Sequence, residues 1–229
     1  PTPLSDRRNA PTEPDELEEF FRADGTTGSR TTQNAAVGEQ VLSPVETDTY
    51  GHVWVGERFP MGASKPTVEA YERRLDRPPA DDSTTTVTLV CNDEEMLAEI
   101  DEELYGFFDM LRFDVRSHHD LTTAELREVL RAETSFLHYV GHVEDEGMQC
   151  ADGYLDLRTL SGTGVEAFLL NGCTSYEQGQ ALVDAGAFGG VVTLTSVSNT
   201  KATKTGRHLA HLLDVGFDFH GALDVIRRI

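Results

Sequence analysis

Two short apolar runs, each ending in a glycine and a chemically reactive side chain, constrain this chain more than any other feature. Residues 136–142 end in Gly-His142, and residues 168–173 end in Gly-Cys173. Apolar runs without alternation are typical of strands that are buried on both faces of a parallel sheet. In such sheets functional groups gather beyond the carboxyl ends of the strands, and neighbouring strands lie only about 4.8 Å apart. We therefore expect His142 and Cys173 to meet at one edge of the sheet.

A thiol next to an imidazole is the arrangement of a cysteine nucleophile and its general base. The spacing of His142 and Cys173 alone is not specific, because free cysteine is among the most buried residue types and many histidines only pack. Both a catalytic and a packing interpretation are therefore open for this pair. The residues around and after Cys173 decide between them.

An ordered set of short motifs surrounds the two runs. The pattern consists of Gly141-His142, Asp152-Gly153, Leu170-Asn171-Gly172-Cys173, Ala185-Gly186-Ala187 and the Val-rich residues 190–195. This order of motifs resembles the C-terminal half of CHAT domains, a branch of the caspase-like cysteine peptidases. By order of motifs the resemblance covers residues 84–229, and it is strongest from residue 136 to residue 197.

The resemblance implies a cysteine endopeptidase that hydrolyses peptide bonds of protein substrates, as the effector domain of a larger regulated protein. Cys173 is then the nucleophile and His142 the base, and the backbone N–H groups of Val143 and Cys173 form the oxyanion hole. The family usually has Gly where this chain has Val143, but the N–H that an oxyanion needs is still present. The resemblance implies no metal and no organic cofactor. It also implies a regulatory domain or activator outside this chain.

The resemblance further implies where the side chain before the cleaved bond would bind. The substrate-binding positions correspond to Asp93, Asn171, Ser196 and Ser198. Caspases that cut after Asp place Arg in this pocket to pair with the carboxylate, and none of these positions carries Arg. We expect Asp at this substrate position to be rejected, and a basic or neutral residue to be accepted. Alternatively, Asp93 only caps the helix that follows it, which leaves a neutral pocket.

Strands and helical segments alternate from residue 84 onwards, which favours a parallel sheet with right-handed crossovers. We expect an α/β fold, a three-layer α/β/α sandwich of caspase type with a mainly parallel central sheet. Strands are predicted at 86–91, 113–117, 136–142, 168–173 and 191–195. Helices are predicted at 93–108, 122–132, 178–185 and 201–215, with a Gly-rich hairpin at 147–157.

The chain divides into three parts by composition. Residues 1–35 are rich in polar and acidic residues and poor in aliphatics, so we expect a flexible acidic segment. Residues 36–83 are expected to be an N-terminal extension that packs on the core, with a strand at 50–57 and a helix at 67–75. Residues 84–229 form the expected peptidase domain. Because the chain begins at Pro1, we expect it to be a processed part of a longer protein.

The charge of the chain indicates the salt conditions in which it folds. It has 40 acidic against 19 basic residues and a formal net charge of −21. Acids spread along the whole chain, with few lysines, predict a salt-adapted cytoplasmic protein of the kind found in halophilic archaea, because salt screens the self-repulsion. The alternative is an ordinary acidic protein. Nucleic acid is excluded as an expected partner because no basic patch is present.

Three scattered cysteines without CxxC spacing predict neither a disulfide framework nor a zinc site. No apolar stretch approaches the length of a membrane span, which is about 20 residues, so no membrane partner is expected. His138 is predicted to be a packing histidine, and His118-His119 to lie in a loop. Residues 144–146 are predicted to be a solvated acidic loop, or alternatively to stabilise the charged form of His142.

Two other functions remain open on the sequence. In the first, the chain is a catalytically silent CHAT-like interaction module whose dyad is present but never aligned. In the second, it is an unrelated flavodoxin-like signalling or ligand-binding domain. The second is disfavoured because neither an Asp-rich phosphoacceptor cluster nor a Gly-rich phosphate loop follows Cys91.

Overall fold

The structure is a computed structural model that describes residues 41–42, 53–54, 59–60, 64–77, 84–93, 95–96, 104–106 and 112–228. The predicted acidic segment 1–35 and most of the predicted strand 50–57 and helix 93–108 lie outside the described residues. In chain order the elements are β1 (Val41–Leu42), β2 (Phe59–Pro60), α1 (Val68–Asp76), β3 (Thr84–Cys91), β4 (Arg112–His119), α2 (Thr123–Arg131), β5 (Thr134–Val140), β6 (Val143–Glu144), β7 (Gly147–Cys150), β8 (Gly153–Leu155), a 3-10 turn (Leu157–Thr159), β9 (Val165–Asn171), α3 (Tyr176–Ala185), β10 (Gly189–Val191), α4 (Asn199–Asp214) and α5 (Phe219–Ile226).

Five parallel strands form the central sheet, in the order β10-β9-β5-β3-β4. The two apolar runs of the sequence are its middle strands β5 and β9, which pair directly. A small antiparallel sheet of β6, β7 and β8 follows β5 in the chain. It replaces the predicted hairpin at 147–157 with a three-stranded meander.

Successive residues of the middle strands point into two separate cores. Leu137 and Tyr139 of β5 pack in one cluster with Leu126 of α2 and Leu182 of α3. Phe136, on the opposite face of β5, packs in a second cluster that includes residues of α4 and α5. Because a strand alternates its side chains between two faces, helices cover both sides of the sheet. The predicted three-layer α/β/α sandwich with a mainly parallel sheet is therefore confirmed.

Local sequence signals explain several helix boundaries. The Thr122 hydroxyl accepts the N–H of Glu125, and the Glu125 carboxylate accepts the N–H of Thr122, so a capping box opens α2. Asp218 caps α5 by accepting the N–H of Gly221 at 2.7 Å. α5 is not among the predicted helices, although this cap marks its start.

Three expected boundaries were wrong. His118 and His119 lie at the end of β4, not in a loop, because β4 pairs with β3 as far as Cys91 and His119. The last strand of the sheet is Gly189–Val191 and not 191–195, and the helix after it begins at Asn199 and not at residue 201. Residues 192–198 leave the sheet because their backbone binds the loop around Cys173 instead. Thr195, for example, accepts the N–H of Thr174 through its carbonyl at 3.3 Å.

Residues 73 and 77, which lie within the segment 36–83, make polar contacts with the core. The predicted helix at 67–75 is α1, and its Arg73 donates to the carbonyls of Val183 and Ala187 at the end of α3. Arg77 forms an ion pair with Glu166 of β9. These polar contacts join the extension to the side of the sheet that carries β9 and β10.

Candidate active site

Strand register places three chemically active residues in one row. Val140 of β5 pairs with Asn171 of β9 and with Cys91 of β3. Asp93, His142 and Cys173 each come two residues after these three paired strand ends, and the strand that precedes His142 lies between the other two. The row lies beyond the carboxyl ends of three adjacent parallel strands, where functional groups of open α/β sheets gather.

Glycines allow the ends of β5 and β9 to approach this closely. A Cβ atom at Gly172 would overlap the carbonyl oxygen of Gly141 and would lie 2.6 Å from Val143 Cγ2. A Cβ atom at Gly141 would lie 2.8 Å from the Tyr139 hydroxyl. Any side chain at Gly172 would therefore push the two strand ends apart. The glycine before each reactive residue thus has a steric role in bringing His142 and Cys173 into one site.

Cys173 lies in a strained turn between β9 and α3. The next residue, Thr174, has a φ of 48°, which is an unfavourable left-handed conformation for a β-branched side chain. The Cys173 sulfur is partly exposed and contacts the backbone of Val197. It lies 3.3 Å from the Val197 nitrogen and 3.4 Å from the Val197 oxygen. The described residues show no hydrogen bond between this sulfur and the His142 ring.

His142 faces a buried carboxylate. Its Nε2 atom lies 3.2 Å from Asp93 Oδ2, while 49% of the His142 side chain and 8% of the Asp93 side chain are exposed. The other Asp93 oxygen, Oδ1, accepts the N–H of Glu95 at 2.8 Å. Asp93 Oδ2 has no hydrogen-bond partner, so its approach to Nε2 is a close contact without hydrogen-bond geometry. The alternative that Asp93 caps the following segment is therefore part of its role, but not all of it.

A small cleft joins His142 and Cys173. The cleft is narrow, with a volume of about 10 Å³, which is room for about one water molecule. Its described walls also include Met96, Asn171, Val197, Asn199 and Ala202. Neither Arg nor Lys is among the described residues that line it.

The predicted substrate-binding residues differ in their positions. Asn171 borders the cleft, but it is 3% exposed, and its amide donates to the carbonyl of Ala202 at 2.9 Å, which ties β9 to α4. Ser196 and Ser198 are exposed and do not line the cleft, whereas Val197 between them does. A substrate-binding role for these residues stays a prediction.

The two backbone groups expected in the oxyanion hole are not used by the described secondary structure. Gln149 donates to the His142 carbonyl at 2.9 Å, so the next pair of the β6–β7 ladder, Val143 with Met148, is of the non-hydrogen-bonded kind. The N–H of Val143 therefore points away from Met148. The N–H of Cys173 precedes α3 and has no acceptor among the described residues.

Comparison with protein-family models, with curated proteins and with solved structures finds no match to this chain. In the part of the chain that the structure describes, no helix is long and apolar enough to span a membrane. The residues and geometry of this site are therefore the basis for assigning a function.

Asp93 makes a different contact from the one that the sequence predicts. Asp93 was expected to bind substrate, yet its carboxylate faces His142. Residues 144–146 follow His142 after one intervening residue, but all three are exposed, and no ion pair joins them to His142 in the described structure. The acid beside His142 therefore comes from the end of β3, some fifty residues earlier in the chain. Only the strand order of the sheet reveals this contact.

His138 and the other two cysteines are buried. His138 is fully buried, with its Nδ1 atom 3.1 Å from the Tyr105 hydroxyl, in agreement with its predicted packing role. Burial, with a smaller contribution from Asp152, raises the pKa of Cys150 to about 11. A thiol with that pKa is protonated and unreactive at neutral pH. Cys173 is the only one of the three cysteines that is not buried.

Proposed function

We propose that this chain is a cysteine endopeptidase that hydrolyses peptide bonds through Cys173 and His142. The observation that carries the proposal is the cleft that His142 and Cys173 share, each two residues beyond the last paired residues of β5 and β9. Reactive groups at the carboxyl ends of adjacent parallel strands are the usual arrangement of an α/β active site. The resemblance to CHAT domains supports the same assignment.

Acylation begins with transfer of the Cys173 thiol proton to a ring nitrogen of His142. The sulfur electron pair then attacks the peptide carbonyl carbon, and the carbonyl π pair moves onto oxygen. The unoccupied N–H groups of Cys173 and Val143 would donate to this oxyanion. When the intermediate collapses, the C–N bond breaks, and His142 returns the proton to the leaving amine. The product is a thioester on Cys173.

Deacylation uses water in the same geometry. His142 takes a proton from water as the oxygen attacks the thioester carbon, and the C–S bond then breaks. The thiolate recovers the proton from His142, so the enzyme is restored, and the second product is a carboxylic acid. Every proton is carried by the imidazole. We further propose that the protein works in the cytoplasm at high salt, on protein substrates, and under the control of a domain or activator outside this chain.

The cleft predicts the substrate residue before the cleaved bond. Its described walls are apolar or neutral, and the acidic Asp93 stands beside it. An Asp side chain at this substrate position would meet neither Arg nor Lys, and it would be repelled by the Asp93 carboxylate. Peptides with a neutral residue at this position should therefore be cleaved with a kcat/KM at least about tenfold higher than peptides with Asp. A library of peptides that differ only at this position, assayed in molar KCl, measures the preference. The Cys173→Ala protein provides the background rate.

Two results of this assay would count against the proposal in different ways. Preferential cleavage after Asp would overturn the assignment of the pocket but leave the peptidase activity in place. If no peptide is cleaved faster than by the Cys173→Ala protein, the peptidase proposal itself is contradicted.

A second candidate is the catalytically silent interaction module with a CHAT-like fold. The observation that favours it is the position of the Cys173 sulfur, which contacts the nitrogen and oxygen of Val197 and not His142. Reactivity of Cys173 in the folded protein separates the two candidates.

A further inference from the structure

We infer that Asp93 is a positioning residue that holds His142 in the tautomer and orientation needed to accept the Cys173 proton, which converts the dyad into an Asp–His–Cys triad. This role for Asp93 rests on the proposed Cys–His chemistry. It replaces the substrate-binding role expected for Asp93 with one that acts through His142.

The first support is the position of Asp93 in the row of strand ends. The pairing of β3 with β5 ends at Cys91 and Val140, and that of β5 with β9 ends at Val140 and Asn171. Because β3 and β9 flank β5 on opposite sides, Asp93 and Cys173 follow the two strands on either side of the one that His142 follows. A base that is oriented by a third group on its far side has this arrangement.

The second support is the state of the carboxylate. Only 8% of the Asp93 side chain is exposed, and its Oδ2 atom has no hydrogen-bond partner. A buried carboxylate oxygen without a donor is costly. His142 Nε2 lies 3.2 Å from this oxygen, within reach of a hydrogen bond. A small rotation of the half-exposed imidazole aligns the pair, as often happens only when substrate binds.

The chemical consequence follows from the two nitrogens of the ring. A carboxylate can only accept a hydrogen bond, so Asp93 favours the neutral imidazole with its proton on Nε2. The lone pair is then on Nδ1, the nitrogen left to take the thiol proton. As the ring becomes charged, the carboxylate also stabilises the imidazolium without taking the proton itself.

The Asp93→Asn variant separates the positioning of His142 from the hydrogen bond that Asp93 accepts from Glu95. In Asp93→Asn the amide oxygen can still accept the Glu95 N–H, but an N–H group now faces Nε2. That group favours the opposite tautomer, which leaves no lone pair on Nδ1. We expect kcat to fall by roughly 10²- to 10⁴-fold with KM changed by less than about threefold. Asp93→Glu keeps a carboxylate and should retain more activity than Asp93→Asn.

Asp156 offers a matched control. Its Oδ1 accepts the N–H of Arg158 at 3.0 Å, two residues ahead, as Asp93 does for Glu95, but Asp156 does not line the cleft. Asp156→Asn should stay within about twofold of the wild type in kcat. An equal loss in both variants would indicate a general effect of removing a turn carboxylate and would overturn the positioning role.

A spectroscopic readout tests the same role without turnover. Long-range proton–nitrogen NMR spectra at pH about 8, where an ordinary imidazole is neutral, show which ring nitrogen carries the proton. We expect Nε2–H for His142 in the wild type and Nδ1–H in Asp93→Asn. The same tautomer in both proteins would contradict the inference. Thermal melts at the same KCl concentration show that each variant is folded.

The tautomer result and the activity result separate this inference from the proposed function. If the tautomer changes as expected but the wild type cleaves no peptide, Asp93 positions His142, and the peptidase proposal fails. If the wild type cleaves peptides and Asp93→Asn cleaves equally well with an unchanged tautomer, the peptidase proposal stands, and the role of Asp93 fails.

Discussion

Replacing Cys173 with Ala is expected to abolish peptide cleavage, by roughly 10⁴-fold or more, because no other group can form the thioester. Cys91→Ala and Cys150→Ala should leave cleavage largely intact, since both thiols are buried in the core at 2% and 6% exposure. Initial rates of the three variants and the wild type, measured on one peptide in molar KCl, test this expectation. Circular dichroism of each variant confirms that it is folded.

The three variants also test the assignment of the nucleophile against the other thiols. Cleavage that survives Cys173→Ala would mean that the dyad assignment is wrong. Cleavage that disappears in Cys150→Ala, with its fold intact, would be equally hard to reconcile with a buried thiol whose pKa is raised to about 11. Activity of the wild-type protein must be established first.

The second large effect is expected from salt. A net charge of −21 produces self-repulsion that destabilises the compact state. The screening length falls from about 10 Å at 0.1 M salt to about 3 Å at 1 M. We expect the midpoint of thermal unfolding to rise by roughly 10 °C or more between low and molar KCl, which corresponds to a few kcal/mol for a chain of this size.

A series of thermal melts in increasing KCl measures this rise. Sucrose at matched osmolality is the control, because it favours compact states by exclusion but does not screen charge. The midpoint should rise much more with KCl than with sucrose. A midpoint that stays flat or falls with KCl would contradict the salt-adapted interpretation of the composition.

The sequence was sufficient to predict the core of the fold. β5 and β9 were predictable because strands buried on both faces cannot alternate and therefore form continuous apolar runs. The start of α2 was predictable because the capping box of Thr122 and Glu125 depends on residues only three positions apart. Both signals are local in the chain.

The contact between Asp93 and His142 could not be predicted in the same way. It depends on β3 lying next to β5 on the side opposite β9, and strand order is not encoded in any single segment. The end of β10 was misplaced for a related reason. The Val-rich composition of residues 190–195 indicates a strand, but the backbone after Val191 binds the turn that holds Cys173. Tertiary contacts at the site outweigh local strand preference there.

The most direct measurement of the central claim is labelling of the folded wild-type protein with a peptidyl chloromethyl ketone that has a neutral residue next to the warhead. Peptide mapping by mass spectrometry in molar KCl identifies the modified thiol. We expect rapid modification of Cys173 alone, at a rate reduced by at least about a hundredfold in His142→Ala, because the imidazole generates the reactive thiolate. If Cys173 in the folded protein is not modified, or is modified equally fast without His142, the proposed Cys–His peptidase site is contradicted.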